Sequence, residues 1–259
     1  MSIYFWGNGN LTYNCFAKID NSIVFDHIDS FTMPSQITAK VLVLTKRRSR
    51  SESINEYLET LSKVTLRAKA IGFKRIIFLS SFAVFGPPNE YRKEKILAES
   101  LLGKISSQNQ IDLIIIRLPN VIGFAKDPSV EPYTLIGQLI FSAKNSGRLF
   151  VDSIVDEFRY FIHVERLTEE ISQLSHQPSD KKIVHLLEYR EIKVKHIVNL
   201  VAEIFDVPIH ESLSPCHPQD KGLSYPKKMI THRERSNLKP NSQLLKLVSR
   251  LISEEASLF

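Results

Sequence analysis

Along its first 120 residues the chain alternates short, unbroken apolar runs with one-sided helical stripes. That pattern belongs to a parallel sheet covered by helices. Residues 75–79 (Arg-Ile-Ile-Phe-Leu) are the clearest run, because a strand buried on both faces loses the polar alternation of a half-exposed one. Residues 3–6, Ser22–Phe25, Lys40–Leu44 and 111–116 read as further strands. Between them, residues 53–71 carry Ile54, Tyr57, Leu58, Leu61, Val64 and Ala68 on one helical face, with Gly72 as the stop. A second helix is expected over 90–105. The fold class is therefore α/β, a Rossmann-like doubly wound parallel sheet.

The second half is less regular. Helices are expected near 133–144, 165–174, 193–205 and 242–252, short strands near 149–151 and 183–187, and a long loop over 212–240. The organisation expected is a cofactor-binding region over 1–125, continuing into parts of 150–190, and a mainly substrate-binding, smaller α/β portion over 126–259.

With 259 residues, 43% of them hydrophobic, the chain has enough apolar material for one large domain or one with a small appendage. No run approaches the roughly 20 apolar residues of a membrane span. The N-terminus reads as a first strand and not as a signal peptide. Two cysteines, Cys15 and Cys216, make no disulfide framework, so a cytoplasmic setting is expected. A net charge of +6 suits an anionic ligand such as a nucleotide diphosphate. The basic residues are scattered, and nucleic acid is not expected as a partner. Cys216, His217, His210 and His232 fit no standard zinc spacing, and no metal is expected.

Tyr91 and Lys95 lie four residues apart, on one face of the second helix. A free phenol titrates near ~10 and exchanges protons poorly at neutral pH, whereas a nearby ammonium stabilises the phenolate. Such a tyrosine can pass a proton to or from a substrate alcohol or ketone while hydride moves to or from a nicotinamide cofactor. Tyr189 and Lys193 repeat the spacing, but no serine-bearing strand end precedes them, and the pair is taken as accidental.

Tyr91 and Lys95 have company. Upstream, the buried strand ends in Ser80-Ser81-Phe82-Ala83-Val84-Phe85-Gly86. Downstream come Arg117-Leu118-Pro119-Asn120-Val121-Ile122-Gly123 and Arg159-Tyr160-Phe161-Ile162-His163-Val164. In this order the four segments resemble the extended short-chain dehydrogenase/reductases, the NAD-dependent epimerase/dehydratase family, across roughly residues 75 to 170. The resemblance implies that Ser81 hydrogen-bonds the reacting oxygen, Tyr91 exchanges its proton and Lys95 orients it. It implies that Pro119 and Asn120 lie beside the cofactor and sugar nucleotide, and that Arg159 contacts the nucleotide diphosphate. It also implies NAD or NADP as cofactor and a homodimer as a common assembly. His163 is taken as architectural.

Three features depart from the family. Its Gly-x-x-Gly-x-x-Gly fingerprint keeps Gly7, but Asn10 and Tyr13 hold the next two positions, with Gly9 a partial substitute. Asp26, at a strand end 19 residues after Gly7, is either the carboxylate that holds the adenosine ribose or a turn residue. The chain before Lys40 is too short for the usual strands and helices. The next strand runs into Lys46-Arg47-Arg48, which is either a solvated basic loop or a set of side chains that bind phosphate in place of the missing glycines. Finally, only four residues separate Gly86 from Tyr91.

The function expected is an NAD(P)-dependent nucleotide-sugar oxidoreductase, foremost a 4-keto-sugar reductase of polysaccharide synthesis. Ser81-Phe82-Ala83 lacks the Asp-Glu pair of the sugar dehydratases. The alternatives are an epimerase, or a family member that has lost redox activity and serves as a binding or regulatory protein.

Overall fold

A computed structural model of the chain describes residues 2–7, 19, 22–25, 40–46, 48–49, 51–123, 134–151, 157–177, 182–211 and 237–256. The described chain divides into two compact units.

The first unit takes in Met1–Val84, Glu90–Leu118 and Val164–Leu186. Its apolar runs become strands β1 (Ser2–Trp6), β2 (Ser22–Phe25), β3 (Lys40–Leu44), β4 (Arg75–Ser81), β5 (Asp112–Leu118) and β10 (Ile183–His185). Among the described residues these pair in parallel, in the order β2-β1-β3-β4-β5-β10. Period-two alternation puts Tyr4, Trp6, Leu42, Leu44, Ile76 and Phe78 on one face. There they pack against α1 (Ile54–Ala70) and α2 (Glu90–Asn109) through Tyr57, Leu61, Val64, Ala98 and Leu102. The opposite row, with Ile3, Phe5, Val41, Val43, Ile77 and Ile114, is also buried. This explains why the runs show no polar alternation.

Helix α1 starts where Ser53 and Glu56 form a reciprocal capping box, at 3.2 and 2.7 Å. Across the sheet's other edge, Asp112 of β5 accepts from Arg75 of β4 at 2.6 Å and from Lys182 at 3.1 Å. Partial burial works to raise the Asp112 pKa, but the two cations outweigh it and hold the carboxyl below its ordinary value.

The second unit takes in Phe85–Asn89, Pro119–His163 and Leu187–Phe259. Three short strand pairs frame it. β6 (Asn120–Ile122) pairs with β9 (Phe161–His163), β7 (Leu149–Val151) with β12 (Ile209–Glu211), and β8 (Phe158–Arg159) with β11 (Ile192–Lys193). Its core joins α3 (Leu135–Ser146), α5 (Val194–Phe205) and α6 (Asn241–Ala256) through Ile136, Leu139, Ile197, Val201, Leu244 and Val248. Glu188 ties the entry of α6 to β9. One carboxylate oxygen accepts from the His163 backbone N–H at 2.7 Å and the other from the Lys239 ammonium at 2.6 Å. Helix α4 (Val164–His176) follows β9 directly and belongs to the first unit.

The expected strands and helices appear at their expected places, with ends displaced by a few residues. Most of the 212–240 loop lies outside the described residues, as do Gly9, Asn10, Tyr13, Cys15, Asp26, Arg47, Cys216, His217 and His232. Among the described residues, no helix is long and apolar enough to cross a membrane.

Candidate active site

In the first unit β1 is flanked by β2 on one side and β3 on the other, so the winding direction of the sheet reverses between β1 and β3. Open α/β sheets bind ligands outside the carboxyl ends of the strands at such a switch point. Gly7 and Lys46 stand there, just beyond the ends of β1 and β3.

The backbones meet closely at this point. The Trp6 carbonyl accepts from the Thr45 and Lys46 backbone N–H groups at 3.1 and 3.0 Å, and from the Thr45 hydroxyl at 2.8 Å. Gly7 has φ +124°, and a Cβ added to it would lie 2.8 Å from the Lys46 nitrogen. Only glycine fits both conditions. Its bare backbone is therefore required by the neighbouring loop, before any ligand is considered. The Lys46 ammonium lies 5.2 Å from the centre of the Trp6 ring, a cation–π contact, so this lysine sits at the crevice.

From Lys46 the chain of contacts runs to the tyrosine–lysine pair. The Tyr57 hydroxyl of α1 donates to the Lys46 carbonyl at 3.2 Å. The Lys95 ammonium lies 5.9, 5.6 and 5.4 Å from the ring centres of Tyr57, Phe78 and Tyr91, and 3.2 Å from Glu94 Oε1. Lys95 and Glu94 are both buried, with side chains only 6% and 3% exposed. Burial works to lower the Lys95 pKa. The phenols of Tyr91 and Tyr57 and the Glu94 carboxylate more than offset it, so the ammonium holds its proton more firmly than a free lysine.

Two phenols thus flank one ammonium, and burial separates their roles. Burial raises the Tyr57 pKa, against the pull of Lys95, and its proton is engaged by the Lys46 carbonyl. Tyr91, in the first turn of α2, is 36% exposed and is the more accessible of the two.

Ser81 ends β4, three residues beyond Phe78, and its hydroxyl accepts from the Ala83 backbone N–H at 3.1 Å. This contact fixes the turn and leaves the hydroxyl proton to be donated elsewhere. Beside it the Ser80 hydroxyl donates to Glu99 Oε1 at 2.6 Å. Glu99 also takes both ends of the Arg117 guanidinium, at 3.0 and 2.6 Å. Glu99 lies one turn beyond Lys95 on α2, so this bidentate pair anchors the helix to the ends of β4 and β5.

In the second unit Asn120 opens β6, opposite Phe161 of β9, and Arg159 lies in β8, opposite Ile192 of β11. The Asn120 side chain and backbone N–H both donate to the Tyr160 carbonyl at 3.2 Å. Arg159 is buried and donates to Glu157 at 2.5 Å, while its Nε has no hydrogen-bond partner among the described residues. Pro119 is buried at the end of β5. Tyr189 makes an isolated bridge to Lys239, and Lys193 precedes the first turn of α5. That pair shares no helical turn, and its spacing carries no chemistry.

One charged residue of this cluster, Glu94, was not singled out from the sequence. Glu94 sits within the inward stripe of Lys95, Ala98 and Leu102, and a carboxylate in that stripe was a legible signal. In the basic run, Arg48 is not simply a solvated side chain. Arg48 is 18% exposed, and its guanidinium donates to Glu94 Oε2 at 3.0 Å and to the Glu52 carbonyl at 2.6 Å. Its charge is committed to protein acceptors.

No protein-family model and no curated protein matches the sequence. Solved structures do match the fold. The UDP-N-acetylglucosamine 4-epimerase of Methanobrevibacter ruminantium M1, in complex with UDP-N-acetylmuramic acid, superposes with a TM-score of 0.71 at 16% identity, over 100% of this chain and 99% of that one. A GDP-L-fucose synthetase from Naegleria fowleri gives 0.72 at 12% identity, over 99% and 94%. RMD from Pseudomonas aeruginosa, complexed with NADPH, gives 0.64 at 18%, over 82% and 87%. At such identities the likeness is one of architecture, and the chain has the fold of the extended short-chain dehydrogenase/reductases.

Proposed function

We propose that the protein is an NAD(P)-dependent oxidoreductase acting on a nucleotide-linked sugar, most specifically a reductase of a 4-keto sugar. The single observation that carries this reading is the buried Lys95 ammonium beside an accessible phenol, Tyr91. The solved neighbours support it by what their names say they bind or act on: NADPH in one case, UDP- or GDP-linked sugars in the others.

The residues present fit a dinucleotide. A bare backbone at Gly7, a cation at Lys46 and a buried ammonium at Lys95 follow one another along the crevice side of the first unit. Gly7, Lys46 and Lys95 would hold the cofactor, with Gly9, Asn10, Asp26 and Pro119 assigned on the sequence alone. Bound nicotinamide supplies or accepts the hydride. The Ser81 hydroxyl donates to the carbonyl oxygen of the substrate. Tyr91 passes its phenolic proton to that oxygen as it becomes a hydroxyl, and Lys95 stabilises the phenolate left behind. Asn120 and Arg159 of the second unit bind the sugar nucleotide. The buried Arg159 Nε, without a hydrogen-bond partner among the described residues, would donate to a diphosphate oxygen.

Of the residues proposed, Gly7, Lys46 and Lys95 for the cofactor lie in the first unit and Asn120 and Arg159 for the sugar nucleotide in the second, with Pro119 assigned to the cofactor on the sequence alone. No nucleic acid or membrane partner is proposed; a homodimer and a cytoplasmic setting remain part of the proposal.

The test is turnover with a panel of UDP-, GDP- and dTDP-linked 4-keto-6-deoxyhexoses, with NADH and NADPH as reductants. Loss of nicotinamide absorbance together with formation of the 4-hydroxy sugar is expected with at least one substrate. Interconversion of 4-hydroxy epimers without net cofactor consumption would replace the reductase by an epimerase. A protein that binds neither cofactor would leave only the binding-protein alternative.

A further inference from the structure

The ammonium of Lys95 is not alone in its box. Glu94, its neighbour in sequence, turns inward with it and places Oε1 3.2 Å from Nζ, off the axis of a hydrogen bond. The other carboxylate oxygen accepts from Arg48 Nε at 3.0 Å. Arg48 in turn is held by the Glu52 carbonyl at 2.6 Å and reaches Glu90 at 3.5 Å, where the Glu90 side chain is 83% exposed and its charge is screened.

The charges in this cluster decide what it can do. Glu94 by itself would cancel the charge of Lys95 and remove the reason for placing an ammonium beside Tyr91. Arg48 adds a second cation on the far oxygen. The buried core of the cluster, Lys95, Arg48 and Glu94, holds two cations and one carboxylate, while the Glu52 carboxylate at its edge acts on Tyr57 in the opposite sense. The groups facing Lys95 are Tyr91 and Glu94 from α2, and Tyr57 from α1. Arg48, and the Glu52 carboxylate beyond it, come from the segment between β3 and α1.

We propose that Glu94 and Arg48 are positioning residues for Lys95: the carboxylate holds the ammonium inside its ring of aromatic side chains, and the guanidinium keeps the charge of the buried core positive. Neither touches substrate; both act through Lys95. The proposal rests on the oxidoreductase reading for its purpose, since the charge is needed at Tyr91. Its geometry stands independently of that reading.

The test requires neither cofactor nor substrate. The folded protein is acylated briefly with acetic anhydride at several pH values, and peptide mass spectrometry compares Lys95 with Lys93. Lys93 is exposed on the same helix and serves as an internal control. Acylation follows the unprotonated amine. Glu94→Gln is expected to raise Lys95 labelling relative to Lys93 by about tenfold, as the stabilising carboxylate is lost and burial favours the neutral amine. Arg48→Met is expected to lower it by about threefold, because Glu94 then serves Lys95 alone. Glu94→Asp should partly restore the wild-type ratio.

Loosening of the helix would raise labelling in both variants, and that result overturns the proposal, as does a ratio unmoved in both. If Glu94→Gln fails to fold, the sign of the Arg48→Met effect decides by itself. NADH binding with the wrong labelling pattern removes the positioning role alone. The right pattern without binding of either NADH or NADPH removes the oxidoreductase reading alone.

Discussion

Tyr91→Phe is expected to lower kcat/KM for keto-sugar reduction by roughly 100- to 10,000-fold, the range attributed to general acid–base catalysis by one side chain. KM and cofactor affinity should change little. The substitution removes only a hydroxyl, and the exposed ring remains to cover Lys95. Folding stability should stay within about 0.5 kcal/mol of wild type. The comparison with Tyr57→Phe is informative. Tyr57 lies against the same ammonium but is buried and gives its proton to the Lys46 carbonyl, so its loss should show first in stability, through an unpaired carbonyl. Steady-state rates and urea midpoints of both variants check this division. Full activity in Tyr91→Phe would mean that another group donates the proton.

Gly7→Ala is expected to cost about 2 to 4 kcal/mol of stability. A side chain at φ +124° carries about 1 to 3 kcal/mol of backbone strain. The added methyl would also meet backbone atoms at 2.8 and 2.9 Å that are held in place by the Trp6 carbonyl and cannot yield as a flexible side chain would. Gly103→Ala is the control. It lies within α2, where an added Cβ meets nothing within 4 Å, and should stabilise by about 0.5 to 1 kcal/mol. Urea unfolding followed by the emission of Trp6, the single tryptophan of the chain and the residue next to Gly7, measures both. Equal midpoints for Gly7→Ala and wild type would show that the β1–β3 approach is looser than described.

The sheet was legible because its signal is local. A strand such as β4, buried on both faces, writes its condition into consecutive apolar residues, and α1 announces itself by a one-sided stripe that Gly72 closes. The order of the strands is different in kind. That β2 forms an edge beside β1, and that β3 lies on its other side, depends on pairings between distant segments that no periodicity records. The shortness of the chain before Lys40 gave the hint, and among the described residues the sheet does end at β2.

At the site, Tyr91 and Lys95 were legible from helical spacing and Ser81 from its strand end. The aromatic partners of Lys95 from other elements were not, since Tyr57 comes from another helix and Phe78 from a strand. Nor was the Arg48 that holds Glu94, which comes from a loop whose charges look solvated in one dimension. Glycine loss in the fingerprint read as damage to cofactor binding. In the structure the surviving Gly7 is first a packing requirement of the Thr45-Lys46 backbone, so its presence says less about the ligand than the motif suggests.

The central claim is that a nicotinamide dinucleotide lies at the carboxyl ends of β1 and β3. Trp6 stands at that place beneath the Lys46 ammonium, so its emission can pass directly to reduced nicotinamide bound nearby. Titration with NADH and NADPH should quench Trp6 and raise nicotinamide emission in step, saturating below about 1 mM with at least one of them. An unchanged Trp6 spectrum with no shift in thermal unfolding, for both dinucleotides up to that concentration, would contradict the account.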